Sequence, residues 1–468
     1  MKPLRPAGIA LFACVIGGFA PAAGSSVMAQ KGPVFQKPER VIDLPPVVAR
    51  EEPKAEPREM PKAKETPRPL NELAPLPQAG TTKPVTVTRF TLAEALRTGH
   101  ANHPSLKALQ NDIMASQQKM QGLKEAHFIT GGLVPDLKYR RQQLELGEQA
   151  NAAELAQAEH DVTYAVVRSF YTVIYAREQA KIARDLVDQL DLYLEQVRKI
   201  VNSKGGGVKG ITKDTEDKMV ILIAEARGKM EEADSGVARA RASLREAIGL
   251  SPNIEVDTAD ELLPEVQAEF TKEAIVNHAL TRRGEIRMAN IGAQVTQLEV
   301  VAQWSRKLSV RVPTFANGGD LHAKPIPVAS REPDYKPGAI PPEMPAELVG
   351  HQKTRTAIAQ QYYERSEKVV EQARNLVALE SEVGYARYIE ATKKVAIFKE
   401  ASKAGRSLLE RQREATGGNL TKEDILMNEV SVTRSFASFN QSLYEQIIAL
   451  ANLERISAGG VHVNFPGR

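Results

Sequence analysis

Along residues 136–204 the apolar positions fall in steps of three and four: Ala183, Leu186, Leu190, Tyr193, Val197 and Ile200. That spacing draws a single stripe down one face of a helix. The stretch contains no proline. At ~1.5 Å rise per residue it predicts a rod of roughly 100 Å. Residues 351–416 are also proline-free and form a counterpart of similar length. Each predicted rod ends at glycines, Gly205-Gly206-Gly207 and Gly417-Gly418, where a residue without Cβ can take the left-handed cap. Beyond each turn the chain returns as another helix. The second return keeps the same rhythm through Val432, Phe436, Phe439, Leu443, Ile447 and Leu450. The pattern predicts a mainly α protein built from long antiparallel helical hairpins.

The hairpins come in two copies. Phe90-Thr91-Leu92-Ala93-Glu94-Ala95-Leu96 precedes Asn102-His103-Pro104-Ser105-Leu106-Lys107, and Phe270-Thr271-Lys272-Glu273-Ala274-Ile275 precedes Arg282-Arg283-Gly284-Glu285-Ile286-Arg287. Both read as a short helix, a break and a second helix, at an offset of 270 − 90 = 180. Further on, Gly210-Ile211-Thr212-Lys213-Asp214 is matched by Asn419-Leu420-Thr421-Lys422-Glu423, at an offset of 421 − 212 = 209. The second copy therefore carries an insertion of 209 − 180 = 29 between these landmarks, and the proline-rich stretch 308–350 is where it is expected. The repeats are placed at 90–252 and 268–460.

The N-terminal part is a different polymer. Residues 1–29 read as an export signal: Lys2 and Arg5, an uncharged run from Gly8 to Ala20, then Val27-Met28-Ala29 as a cleavage site, with a cut after Ala22 also open. Leu11-Phe12-Ala13-Cys14 resembles a lipobox, which would make Cys14 an acylation site. Residues 30–89 hold twelve prolines and one aromatic, Phe35, and read as an extended tether or, on another reading, a proline-rich ligand. Only 5% of the 468 residues are aromatic, which favours long helices over a β-sandwich. A formal charge of +4 over this length argues for no nucleic-acid partner. Cys14 is the only cysteine, so the fold is not built on disulfides.

Candidate chemistry is sparse. No phosphate loop, zinc-type Cys/His spacing or nucleophile elbow is present, so neither catalytic residue, cofactor nor metal is expected. His100 and His103 straddle a break before Pro104, which suits a helix end better than a metal. Phe170, Tyr171, Trp304 and the Tyr362-Tyr363 pair are expected in the core. The acids at the hairpin turns are more informative. Asp214, Glu216 and Asp217 open one returning helix, and Glu423 and Asp424 open the other. Carboxylates in a first turn favour the positive end of the helix dipole, and Thr421-x-x-Asp424 fits a capping pattern. The same residues could also ring the mouth of an oligomeric tube.

Five stretches together resemble the TolC-like outer-membrane efflux proteins: FTLAEALRTGHANHPSLKAL (90–109), VVRSFYTVIYAREQAKIARDLV (166–187), LREAIGLSP (244–252), FTKEAIVNHALTRRGEIRMAN (270–290) and IIALANLERISAGG (447–460). The resemblance implies a homotrimer whose helices wall a periplasmic α-barrel, with strands in a shared outer-membrane barrel. It also implies a periplasmic adaptor protein and an inner-membrane pump as partners, a cell-envelope location after signal-peptide export, and passive conduction for efflux or secretion. On this reading the tip or gate comprises Gly205, Gly206, Thr212, Asp214, Asp217, Gly417, Gly418, Thr421, Glu423 and Asp424. The family's strand hairpins would fall at 127–140 and 308–350. The first has only fourteen residues and the second holds eight prolines from Pro313 to Pro345, so a reduced β part is expected, with only Ser309–Phe315 strand-like. The rival readings are a periplasmic coiled-coil scaffold that conducts nothing and a helical hydrolase or metal-dependent enzyme.

Overall fold

The computed structural model describes residues 87–130, 134–202, 212–315, 344–414 and 422–468. The export signal with Cys14, the proline-rich segment as far as residue 86, and the turns at 203–211 and 415–421 lie outside the described residues.

The first repeat opens with β1 (Thr88–Phe90), followed by α1 (Leu92–Asn102), α2 (Pro104–Thr130), α3 (Leu137–Val201) and α4 (Lys213–Ala247). β2 (Val256–Thr258) then leads to α5 (Lys272–Arg282), α6 (Gly284–Ser305), β3 (Arg311–Pro313), β4 (Glu347–Val349), α7 (Gln352–Glu414) and α8 (Lys422–Ile456). The long helices α3 and α7 have 65 and 63 residues. α3 packs along α4 and α7 along α8, while α2 and α6 lie against α3 and α7 respectively. The stripe read from sequence is the packing face: Ala183, Leu190 and Val197 are buried, and Leu186, Tyr193 and Ile200 half-buried.

The duplication holds at element ends. α5 is offset from α1 by the same number at both termini (272 − 92 = 282 − 102 = 180), and so is α8 from α4 (422 − 213 = 456 − 247 = 209). Thr91 and Thr271 cap α1 and α5, each Oγ1 accepting the backbone N–H of the third position on at 3.3 Å. α4 closes with Leu250 N–H donating to Arg245 O and Gly249 N–H to Glu246 O. α8 repeats the closure at the matching place, with Gly459 N–H donating to Glu454 O and Ala458 N–H to Arg455 O.

The main core lies where the two repeats meet. Leu92, Val166, Phe170, Tyr171, Ile174 and Leu244 of the first pack with Ile275, Ile447, Leu450 and Leu453 of the second. The chain beyond the expected end of the repeat at 460 joins this core through Val461, Val463 and Phe465. Gly467 O accepts from Ala93 N–H at 3.0 Å, which ties the tail to the start of α1. A smaller cluster of Val187, Leu190, Leu194, Met219, Ile223 and Ala226 holds the α3–α4 hairpin together.

The described sheets are minimal. β1 pairs in parallel with β2, so ordered pairing starts at Thr88, inside the stretch assigned to the tether. β3 pairs antiparallel with β4, Arg311 opposite Val349 and Pro313 opposite Glu347, which narrows the expected strand Ser309–Phe315 to three residues. At the other expected strand site α2 runs to Thr130 and α3 starts at Leu137, leaving six residues between helices. The reason is local. Arg140, in the first turns of α3, is buried and donates to Asp136 Oδ2 at 3.0 Å, Gln143 Oε1 at 2.9 Å, Glu299 Oε2 and Pro313 O. An arginine holding its own helix start, α6 and β3 keeps this segment helical. No described helix is long and apolar enough to cross a membrane.

Candidate functional site

The acids at the start of α4 divide by environment. Thr212 has extended backbone at the N-cap, and its N–H donates to Thr215 Oγ1 at 3.3 Å. Asp214 and Glu216 sit in the first turn, where the free N–H groups of the helix favour negative charge. Glu216 is half-buried and accepts from Arg198 Nε of α3 at 2.9 Å, a bond that closes the hairpin near its end. Asp214 and Asp217 are exposed. One carboxylate is thus committed to the hairpin and two face solvent. Glu423 and Asp424 lie in the first turn of α8 by its backbone, at the position matching Asp214 and Thr215 in the first repeat. Their side chains, together with Gly205, Gly206, Gly417, Gly418 and Thr421, lie outside the described residues.

Sequence reasoning missed a buried charge cluster that joins the repeats. Arg283, between α5 and α6, reaches Glu285 at 2.7 Å and also bonds Glu380 of α7. Arg455 of α8 donates to the other oxygen of Glu380 at 2.6 Å and lies 3.6 Å from Asp161 of α3. Its guanidinium also stacks 5.4 Å from the centre of the Tyr164 ring. Burial alone would raise the Glu380 carboxyl, but Arg283 and Arg455 outweigh it and hold the group at about 2. For Asp161 burial wins over the more distant Arg455 and pushes the carboxyl up to about 6. A charged residue placed inside an apolar stripe, as Glu380 and Arg455 are, was the available signal.

The histidines behave as structural groups. His103 is the C-cap of α1 and buried, its N–H donating to Gly99 O and its Nδ1 accepting from Ser105 N–H at 3.3 Å. His100 Nε2 meets Thr163 Oγ1 at 2.9 Å. Burial lowers both imidazoles and favours the neutral form. Among the described residues no cluster of three or more His, Cys, Asp or Glu could hold a metal. Phe170 and Tyr171 are fully buried as expected, Tyr362 and Tyr363 are half-buried, and Trp304 departs from the expectation at 51% exposure. Trp304 lies in the last turn of α6 on the face that also leaves Val301 exposed, whereas its neighbours Ala302 and Gln303 are buried.

No protein-family model matches the chain, and a search of curated proteins finds no relative. Solved structures do match. The open state of the MtrE outer membrane channel of Neisseria gonorrhoeae aligns over 79% of this chain and 89% of its own at 14% identity, TM-score 0.58. The Campylobacter jejuni CmeC outer membrane channel aligns over 86% and 94% at 10% identity, TM-score 0.56. A membrane protein from Pseudomonas aeruginosa covers 79% and 93% at 12% identity, TM-score 0.60. At such identities the likeness is one of architecture. With its duplicated long hairpins, short companion helices and the short strands of its described residues, the chain has a TolC-like fold, the architecture of these outer membrane channels.

Proposed function

We propose that this chain is one subunit of a homotrimeric envelope channel, a passive conduit through which an inner-membrane pump and a periplasmic adaptor protein export solutes. The observation that carries this reading is the pairing of α3 with α4 and of α7 with α8 in a duplicated array that matches outer membrane channels over most of the chain. Apolar side chains left exposed on the long helices support assembly: Leu192 on α3, Ile221 on α4, and Leu379 and Ile397 on α7. Large exposed apolar groups at several points of one helical array are what neighbouring protomers would cover. In such a conduit the protein supplies wall and gate rather than catalysis. The exposed Asp214 and Asp217 would line the gate at the hairpin end, with Gly205, Gly206, Gly417, Gly418, Thr421, Glu423 and Asp424 as the rest of the tip. Export would follow the signal at 1–29, with 30–89 as a tether and Cys14 as a lesser candidate for acylation.

The second reading, a non-conducting periplasmic scaffold, has one observation in its favour. A membrane-spanning strand needs ~9–11 residues, and the described strands have three. Planar bilayer recording of the purified oligomer separates the two. Discrete conductance steps support the channel; a silent bilayer with oligomer demonstrably incorporated supports the scaffold.

A further inference from the structure

Between the tail that follows α8 and the loop that follows β2 lies a cavity of about 340 Å³, at the small end of the range for small-molecule sites. Tyr171 of α3 lines it from the side of the main core. Both walls are held in place. Asp260 O accepts from Thr258 Oγ1 at 3.1 Å and from the Arg177 guanidinium, and Leu263 and Val266 anchor the loop in the core. In the tail, the Phe465 ring packs 5.7 Å from that of Tyr171, and Gly467 O is tied to Ala93 N–H. The cavity is therefore preformed by the fold.

The lining joins apolar surface to uncompensated negative charge. Leu262, Pro264 and Pro466 supply the apolar part, and the exposed residues Asp260 and Glu261 supply carboxylates. The arginines nearby are engaged elsewhere, Arg177 and Arg241 with Asp257 and Arg468 with Glu454. Among the described residues neither Asp260 nor Glu261 has an ion-pair partner. A Cβ on Gly467 would stand 3.7 Å from Asp260 Oδ2, so that carboxylate faces the tail. The Tyr171 hydroxyl points to the same chemistry. It is fully buried and has no hydrogen-bond partner, a state that native folds seldom leave unused. Burial raises the phenol well above its usual value, with the Asp260 carboxylate adding to the rise, so the hydroxyl keeps its proton. Such a group can donate to a carboxylate and still accept from an N–H. A bare divalent cation takes roughly six oxygens or more, which this lining does not offer. An organic cation with N–H donors and an apolar stem fits both parts of it.

We propose that this cavity binds a primary alkylammonium group, with Asp260 and Glu261 as counter-charge, the Tyr171 hydroxyl as acceptor and Leu262, Pro264 and Pro466 around the alkyl stem. The site does not depend on whether the assembled protein conducts. The test titrates n-butylammonium into the full chain in a non-ionic detergent, read by ligand-observed NMR, with 1-butanol as the uncharged counterpart. The expected result is saturable binding of butylammonium, about tenfold or more tighter than that of 1-butanol. D260N/E261Q should weaken it about tenfold, because the charge-assisted bonds are lost. Y171F should weaken it about threefold or more without lowering the melting temperature, since that hydroxyl makes no bond within the fold. E269Q, at an exposed acid outside the cavity, should bind like the parent. Nα-acetyl-lysine methylamide, run alongside, separates the sources of the group: its binding assigns the cavity to a lysine of a partner protein, its exclusion to free amines. Equal affinity of parent and D260N/E261Q would overturn the proposal, as would 1-butanol matching butylammonium. Full affinity in Y171F would overturn it too, leaving a surface acid pair in place of a built site.

Discussion

Ala458 holds φ at 47°, in the left-handed region, and its counterpart in the first repeat is Gly249, with φ at 70°. Both residues close a helix with the same pair of backbone bonds, so the turn needs this conformation whichever residue fills it. For an L-residue that conformation costs about 1–2 kcal/mol. Ala458→Gly should therefore stabilise the protein by roughly 0.5–1 kcal/mol, after glycine's larger unfolded-state entropy is deducted, read from urea unfolding. Asp161 makes a prediction with a pH signature. Its carboxyl stands at about 6 in the fold against an ordinary value of 3.8, so the folded state binds the proton more tightly. Keeping it charged costs stability in full above about pH 6, and the cost disappears as pH falls below about 4. Asp161→Asn should be more stable than the parent at pH 7 by on the order of 2 kcal/mol, with the gap narrowing towards pH 4. Glu380 has the opposite sign: its stabilisation is full above 4.5 and is lost as pH falls towards about 2. At the hairpin end, Asp214→Ala with Asp217→Ala should alter cation block of single-channel current while leaving the melting temperature nearly unchanged. Unaltered block would leave those carboxylates only a role at the helix end.

At the scale of elements, the join between α2 and α3 departs furthest from the strand hairpin expected there. The join is held by buried polar side chains rather than by apolar packing: Arg140, Gln143 and Glu299 interlock, with Gln303 handing the network on to Arg355. Removing one member of such a buried network strands the partners without water or bonds, which costs more than the net value of the bond itself. Arg355→Met should lower stability by about 3 kcal/mol or more and release the turn after α6. Limited trypsin digestion checks this, with new cleavage after Arg306, Lys307 or Arg311 as the expected result. Gly284 shows how little space separates the helices elsewhere. A Cβ there would stand 2.4 Å from Ala153 O and 2.8 Å from Gln157 Cβ, so α6 can begin against α3 only with glycine.

At the scale of the molecule, the two repeats share one core and one charge cluster, so they should unfold together rather than as separate units. Assembly is the larger expectation. Particles in detergent should be trimers with an axial tunnel by electron microscopy, and Ile221→Glu with Ile397→Glu should shift light-scattering mass towards the monomer by desolvating charge at the covered faces. A monodisperse monomer of the parent chain in every membrane mimetic would contradict the trimer. Circular dichroism should be dominated by helix, as the described elements are, and on the scaffold reading alone gels should show no heat-modifiable barrel, since open strand edges are not tolerated in lipid.

Helix lengths, the duplication and the insertion in its second copy were legible in the sequence because each rests on local rules. Periodicity marks the buried stripe, proline-free runs permit long helices, and threonine and glycine punctuate the ends. The shortness of the strand gap at 127–140 was legible as well, from its length alone. The sequence did not reveal the cluster of Asp161, Arg283, Glu380 and Arg455, whose members come from four widely separated places in the chain. Nor did it reveal that Trp304 faces outward, although its helical spacing suits a core position. A side chain's partners across such separations depend on how helices pack, and packing is a property of the folded array rather than of any one segment. Local pattern determined the elements; the tertiary structure alone decided which charges they bury together and which apolar groups they leave uncovered.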